Sequence, residues 1–170
     1  MTGRNITIDY VLTLPITGEF NFPLKESQIL LELVHKKNNS SIYAGFSDKL
    51  ERYETPEQAA VRVLGNQLSI TVDKEYMHKC AELTFHKRTP GKKFHVYFVN
   101  KWEGVPVGKN ISQWFDLNTL PSNLTRTDKL WLSRAFTGEK VIETFNYDVN
   151  SNMLPNMLTS YNSSNSNHYF

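Results

Sequence analysis

The sequence predicts an α/β domain. A well-capped amphipathic helix, Thr55 to Ile70, sits between β-rich runs on both sides, and a second helix, Asp128 to Phe136, precedes a last β-rich run. With 39% hydrophobic and 21% charged residues in 170, the chain has enough apolar surface for one sizeable core.

Ile6 to Ile16 is β-rich, and Gln28 to Lys37 is a stronger strand whose lysine end meets solvent. Between them, Gly18 to Glu26 carries Phe20, Phe22 and Pro23 and reads as a loop folded over a sheet face. Asn38-Asn-Ser-Ser41 is a turn, and Ile42 to Phe46 a short extended segment. Thr55 as N-cap, Pro56 at the first helical position and Gln58 three residues after the cap form a capping box, worth about 1 kcal/mol. Ala59, Ala60, Val63, Leu64 and Leu68 make a packed stripe. Gly65, costing about 1 kcal/mol inside a helix, suggests close packing. Two long strands follow, His78 to Lys87 and Lys93 to Trp102, joined by the turn Arg88-Thr-Pro-Gly91. The alternation in Phe94 to Val99 predicts cover on both faces. After the Gly104 to Gly108 loop, Gln113 to Leu117 is a strand, the last helix is stopped by Gly138, and Val141 to Tyr147 is a final strand. The domain is therefore expected over 1–148. The Ser/Asn-rich tail, 149–170, cannot bury enough apolar surface to offset its chain entropy and is expected to be disordered. Its Met153-Leu-Pro-Asn-Met157-Leu run could dock on a partner or into the domain's own cleft.

Composition excludes some functions. A net charge of +2 is too small to argue for nucleic acid by itself. One cysteine, Cys80, rules out an internal disulfide framework and points to a reduced, cytoplasmic setting. No apolar run reaches the roughly 18 residues of a membrane span, and no signal peptide is evident. The Asn-x-Ser/Thr triplets at Asn5, Asn39, Asn110, Asn123 and Asn162 follow from an Asn-rich composition. Histidines 35, 78, 86, 95 and 168 show no zinc spacing, and Cys80 carries no sign of an activated nucleophile.

The stretch from Gly45 to Ile70 resembles the Nudix box of the nucleoside-diphosphate-X hydrolases. That box reads Gly, five residues, Glu, seven residues, then Arg-Glu-aliphatic-x-Glu-Glu-x-Gly-aliphatic. Glu54, Arg62, Leu64 and Ile70 match it, while Asp48 and Ser69 stand where the family has glycine. Further along, Trp114-Phe115-x-Leu117, Leu120-Pro121 and Asp128-x-x-Trp131 resemble the MutT-like nucleoside triphosphate pyrophosphohydrolases. The resemblance implies a Nudix fold, a mixed β-sheet sandwiched between α-helices. It also implies that Glu54 and Arg62 form a structural tie between loop and helix.

The departures bear on chemistry. The family's Mg²⁺-binding glutamates fall at Val63, Asn66 and Gln67, which together lack three negative charges, and Mg²⁺ needs hard anionic oxygens. Lys109 stands where relatives place acids, opposing a metal but able to hold a phosphate. Where a purine-reading Asn and paired acids would stand, this chain has Ala44 and Thr127 with Asp128.

Three functional readings follow. The leading one is a catalytically dead or impaired relative with no cofactor, keeping a nucleotide-sized cleft lined by Phe46, Asp128, Trp131 and Lys109. The second is a Mg²⁺-dependent nucleoside polyphosphate hydrolase with ligands relocated to Glu51, Glu54 and Glu57. The third is an interaction module binding RNA or protein through Lys87, Arg88, Lys92 and Lys93 at one hairpin tip, where Phe85 and Phe94 flank the charges.

Overall fold

The computed structural model describes residues 6–147. The strands are β1 (Thr7–Pro15), β2 (Gln28–His35), β3 (Ser41–Ala44), β4 (Phe46–Lys49), β5 (Met77–His86), β6 (Gly91–Val99), β7 (Ser112–Asp116) and β8 (Val141–Asn146). The helices are α1 (Pro56–Leu68) and α2 (Arg126–Phe136), with a 3₁₀ turn at Lys74–Tyr76. The predicted α/β architecture is present, but its strands divide into two sheets. A five-stranded mixed sheet runs β4-β1-β6-β5-β8, and a three-stranded antiparallel sheet runs β3-β2-β7. A single bridge between Ile16 and Ile29 joins the end of β1 to β2. The proposed tail, 149–170, lies outside the described residues.

Strand β6 organises the layers because both of its faces are covered. Val96 and Phe98 enter one apolar cluster with Trp131, Leu132 and Ala135 of α2, while Tyr97 and Val99 enter another with Ala59, Val63, Leu64 and Leu68 of α1. The period-two alternation of a strand thus puts the two clusters on opposite faces of the five-stranded sheet. The loop ahead of β2 closes over the α2 side. Phe20 and Phe22 stack at 6.3 Å, Leu24 is buried, and its N–H donates to the Phe136 carbonyl.

Helix α1 begins as its sequence dictates. Thr55 Oγ1 accepts from Gln58 N at 3.2 Å, and Gln58 Oε1 accepts from Thr55 N at 2.9 Å, completing the capping box. It ends in a left-handed residue, Ser69, at φ 58°. Helix α2 is capped by Thr125 and closed by Gly138 at φ 95°, where a side chain would also strike the Phe22 ring.

Three local expectations need correction. The extended segment after the Asn38 turn breaks at Gly45 into β3 and β4. A Cβ on Gly45 would lie 2.6 Å from Leu14 Cδ2 and 2.9 Å from the Thr13 carbonyl, so this corner requires glycine to press against β1. The second hairpin strand ends at Val99, short of Trp102, because Asn100 turns its N–H to the Tyr76 carbonyl. Gly65 is not a close-packing residue, since its added Cβ would meet just the Ile70 carbonyl, at an ordinary 3.8 Å.

These two glycines generate opposite expectations in chemical denaturation. Gly65→Ala should raise stability by about 0.5–1 kcal/mol through helix propensity and a less flexible unfolded chain. Gly45→Ala should lower it by about 1–3 kcal/mol, because a backbone carbonyl cannot step aside.

Candidate functional site

The box region is organised around the Arg62 guanidinium. Projecting from α1, it donates from Nε to Glu54 Oε1 at 2.8 Å and from Nη2 to Glu54 Oε2 at 3.0 Å. Its Nη1 reaches Asp48 Oδ2 at 2.9 Å, and Nη2 also reaches the Lys49 carbonyl at 2.9 Å. Glu51 lies further off, 3.7 Å from Nε, but its backbone N–H donates to Glu54 Oε2 at 2.9 Å. The fork geometry of guanidinium thereby ties β4, the following loop and α1 at one point. Hydrogen bonds from Arg62 hold the Asp48 and Glu54 carboxyls below the usual carboxylate range, and the same contacts hold Arg62 firmly charged. Asp48, at a glycine position of the box, is thus a third member of the tie that sequence reasoning did not supply.

The positions that carry metal ligands in the box are occupied differently here. Val63 is 1% exposed and belongs to the apolar cluster under α1. Gln67 Nε2 donates to the Ser47 carbonyl at 2.9 Å, stitching α1 to β4, and Asn66 faces solvent. Glu57 accepts a 2.8 Å hydrogen bond from the Tyr97 hydroxyl. Burial works against its ionised form, yet that bond, a backbone N–H and the charges of Lys79 and Lys74 hold its carboxyl below the usual range. Glu51 and Glu54 therefore face Arg62, while Glu57 is held by Tyr97. Among the described residues, no three His, Cys, Asp or Glu side chains are grouped to hold a metal ion. Lys109 is exposed, next to Gly108, whose backbone lies against the Gln67 carbonyl at the end of α1.

The residues expected to line one cleft do not all meet. Asp128 and Trp131 do: the indole Nε1 donates to Asp128 Oδ1 at 3.0 Å, while Thr125 Oγ1 accepts from the Asp128 N–H. Burial pushes the Asp128 carboxyl up, against the pull of hydrogen bonds to it from the Thr125 and Trp131 side chains. Trp131 itself is 1% exposed and packs in the α2 cluster, whereas Phe46, also 1% exposed, packs in the α1 cluster on the other face.

A cavity of about 340 Å³ opens instead at the β5–β6 hairpin tip, lined by Phe85, Lys87, Arg88, Pro90, Lys92 and Tyr147. It adjoins the Asp128 region through Tyr147, whose phenol is pushed up by burial and then by the Asp128 charge. The clustered basic residues were legible in the sequence, but the contribution of Tyr147 was not, because parallel pairing of β8 with β5 brings it there.

No family model matches the chain. It is 26% identical over 129 residues to the oxidized purine nucleoside triphosphate hydrolase of Danio rerio, spanning 73% of this chain and 81% of that protein. The mutator MutT protein of Bacillus halodurans superposes with a TM-score of 0.65 at 13% identity, covering 86% of this chain and 94% of that one. A MutT Nudix hydrolase from Burkholderia pseudomallei does so with a TM-score of 0.55 at 18% identity, covering 73% and 95%. The chain has the Nudix fold and is similar in sequence to a MutT-like hydrolase. In this fold Ser69 accounts for the second glycine of the box, since that position ends α1 in a left-handed conformation.

Two pH effects of opposite sign follow. Glu54 and Asp48 contribute stability above about pH 4, the unfolded carboxylate range, and lose it as pH falls through their lower folded values. Arg62→Met should cost about 2–3 kcal/mol at pH 7 and flatten that acid loss in denaturation curves. The contribution of Asp128 is fully present below about pH 4 and is lost as pH rises through its higher folded value. Asp128→Asn should therefore gain stability over the wild type at pH 7 and show no gain below pH 4.

Proposed function

We propose that this Nudix protein is a catalytically dead or severely impaired relative of nucleoside polyphosphate hydrolases that binds nucleotide without turning it over. The observation that supports this most directly is what has become of the ligand positions. Val63 is part of the core, Gln67 is committed to a backbone carbonyl, and Asn66 is a neutral amide in solvent. A magnesium ion takes several hard oxygens, including charged ones, in near-octahedral array, and this donor set does not fit it. The carboxylates that remain nearby are engaged by Arg62 or Tyr97, so a relocated centre at Glu51, Glu54 and Glu57 would have to dismantle contacts that hold the fold. We assign no hydrolytic step to these residues.

Nucleotide as ligand is supported by the relatives, a nucleoside triphosphate hydrolase among them, and by the space lined by Tyr147, whose phenol feels the Asp128 charge. In this reading Asp128 is the polar reader of the cleft and Trp131 fixes its orientation. Phe46 and the Glu54–Arg62 tie are scaffold, and Lys109 is a cation beside the former metal face. A single buried cysteine agrees with a cytoplasmic protein, and no described helix is long and apolar enough to cross a membrane.

Calorimetric titration with Mg²⁺, with and without a nucleoside triphosphate, should give no heat assignable to a protein-bound metal, and phosphate or pyrophosphate release over hours should stay at the level of buffer. Mg²⁺-dependent release that falls in Glu51→Gln, Glu54→Gln or Glu57→Gln would overturn the reading in favour of an active hydrolase.

A further inference from the structure

We infer that phosphate recognition in this protein lies at the β5–β6 hairpin cavity, which takes a nucleotide unit with its base against Phe85 and Tyr147 and its phosphate among Lys87, Arg88 and Lys92. The inference rests on the nucleotide-binding reading above and adds where the charge of the ligand is met.

Four features of the cavity carry it. Its volume, about 340 Å³, is that of a small-molecule site and suits a mononucleotide. Its walls combine two aromatic rings with three cations, the two chemistries that a planar base and a phosphate require. Among the described residues, Lys87, Arg88 and Lys92 have no carboxylate within ion-pair distance, whereas neighbouring Lys93 sits 3.7 Å from Glu82 Oε2. Lys87 and Lys92 lie instead over the rings of Tyr147 and Tyr10, at 5.8 and 4.9 Å from their centroids, which holds positive charge against the aromatic wall. Uncompensated cations converging on a concave, partly apolar surface favour an anion there.

The place of the cavity in the fold gives the inference its content. Phe85 and Tyr147 pack with the α2 cluster, and α1 lies on the other face of the sheet. A phosphate at the hairpin therefore needs neither the box helix nor a metal. A box that offers Val63, Asn66 and Gln67 and a hairpin that offers three cations are consistent with one another: counter-charge absent from one face is present on the other.

The nucleotide unit could be a free nucleotide or one residue of a single-stranded RNA, and the test separates them. Titrations without Mg²⁺ would use GMP and AMP, the corresponding nucleosides, GTP, and an eight-nucleotide single-stranded RNA, with the wild type, Lys87→Gln/Arg88→Gln/Lys92→Gln, Lys109→Gln and Lys101→Gln. All these lysines and Arg88 are exposed, so the variants should fold, and thermal melts would check that they do. The nucleotides should bind, with affinity reduced at least tenfold in the triple variant, reduced by salt, and unchanged in Lys101→Gln. The nucleosides should bind as weakly to the wild type as nucleotides bind to the triple variant. RNA binding many-fold tighter than GMP, and lost in the triple variant, supports the inference with a strand as the source; similar affinities support it with a free nucleotide.

Nucleotide binding that survives in the triple variant, or that is lost in Lys109→Gln instead, would overturn the hairpin assignment while leaving the nucleotide-binding reading intact. Absence of binding by every probe would overturn both. Mg²⁺-dependent turnover would overturn the impaired reading and leave the hairpin assignment to be judged by the variants alone.

Discussion

The arrangement of the whole α1 face depends on one guanidinium. Arg62 satisfies Glu54 with two hydrogen bonds, Asp48 with a third and the Lys49 carbonyl with a fourth, so strand β4, the loop after it and α1 are fixed at a single charged centre. Its side chain is 20% exposed and that of Glu54 is 12% exposed, which removes much of the solvent screening that makes surface pairs weak. Partly buried charge is costly unless fully paired, and here each charged partner is hydrogen-bonded. Glu54 also accepts the Glu51 N–H, so the loop backbone is held by the same carboxylate.

That constraint explains why the box can lose its ligands and keep its shape. The tie uses Glu54 and Arg62, neither of which the resemblance makes a principal metal ligand, so substitutions at 63, 66 and 67 leave it untouched. Two of those substitutions add contacts of their own. Val63 continues the apolar stripe that Ala59, Ala60, Leu64 and Leu68 begin, where a carboxylate would have to be desolvated against the sheet. Gln67 can donate where glutamate could not, and its amide reaches the Ser47 carbonyl. The helix is thus better tied to β4 and less suited to a divalent cation for the same reason, the exchange of negative charge for neutral contact.

What could be read in the sequence was what depends on neighbours along the chain. The capping box at Thr55, the stop at Gly138, the β5–β6 hairpin and the two-sided burial of Phe94 to Val99 all follow from local patterns, and all are present. Residues that meet through pairing of distant strands were harder to place. Asp48 looked like a lost glycine and is a partner of Arg62, fourteen residues on. Ser69 looked like another lost glycine and adopts the conformation that glycine would have served. Phe46 and Trp131 were grouped into one cleft, but Phe46, on β4, packs in the α1 cluster and Trp131, on α2, in the cluster on the other face of the sheet. Tyr147 entered the hairpin cavity through the parallel register of β8 on β5, a tertiary fact with no local signature.

The two faces of the sheet therefore carry separable properties. On the α1 face several charges have partners: Arg62 pairs with Glu54 and Asp48, and Lys79 with Glu82 at 2.6 Å, while Glu57 accepts from the Tyr97 hydroxyl. On the α2 face, the hairpin tip gathers cations beside aromatic rings, none of Lys87, Arg88 and Lys92 having a carboxylate within ion-pair distance among the described residues, while Asp128 is held in a site that disfavours its ionised form. Proteins retain such destabilising arrangements where a ligand offsets them. A bound anion would relieve the repulsion among Lys87, Arg88 and Lys92, and a hydrogen-bond donor on the ligand would relieve an ionised Asp128. Under the proposed reading, recognition and stability are opposed at one end of the sheet, on the face away from the Arg62 tie.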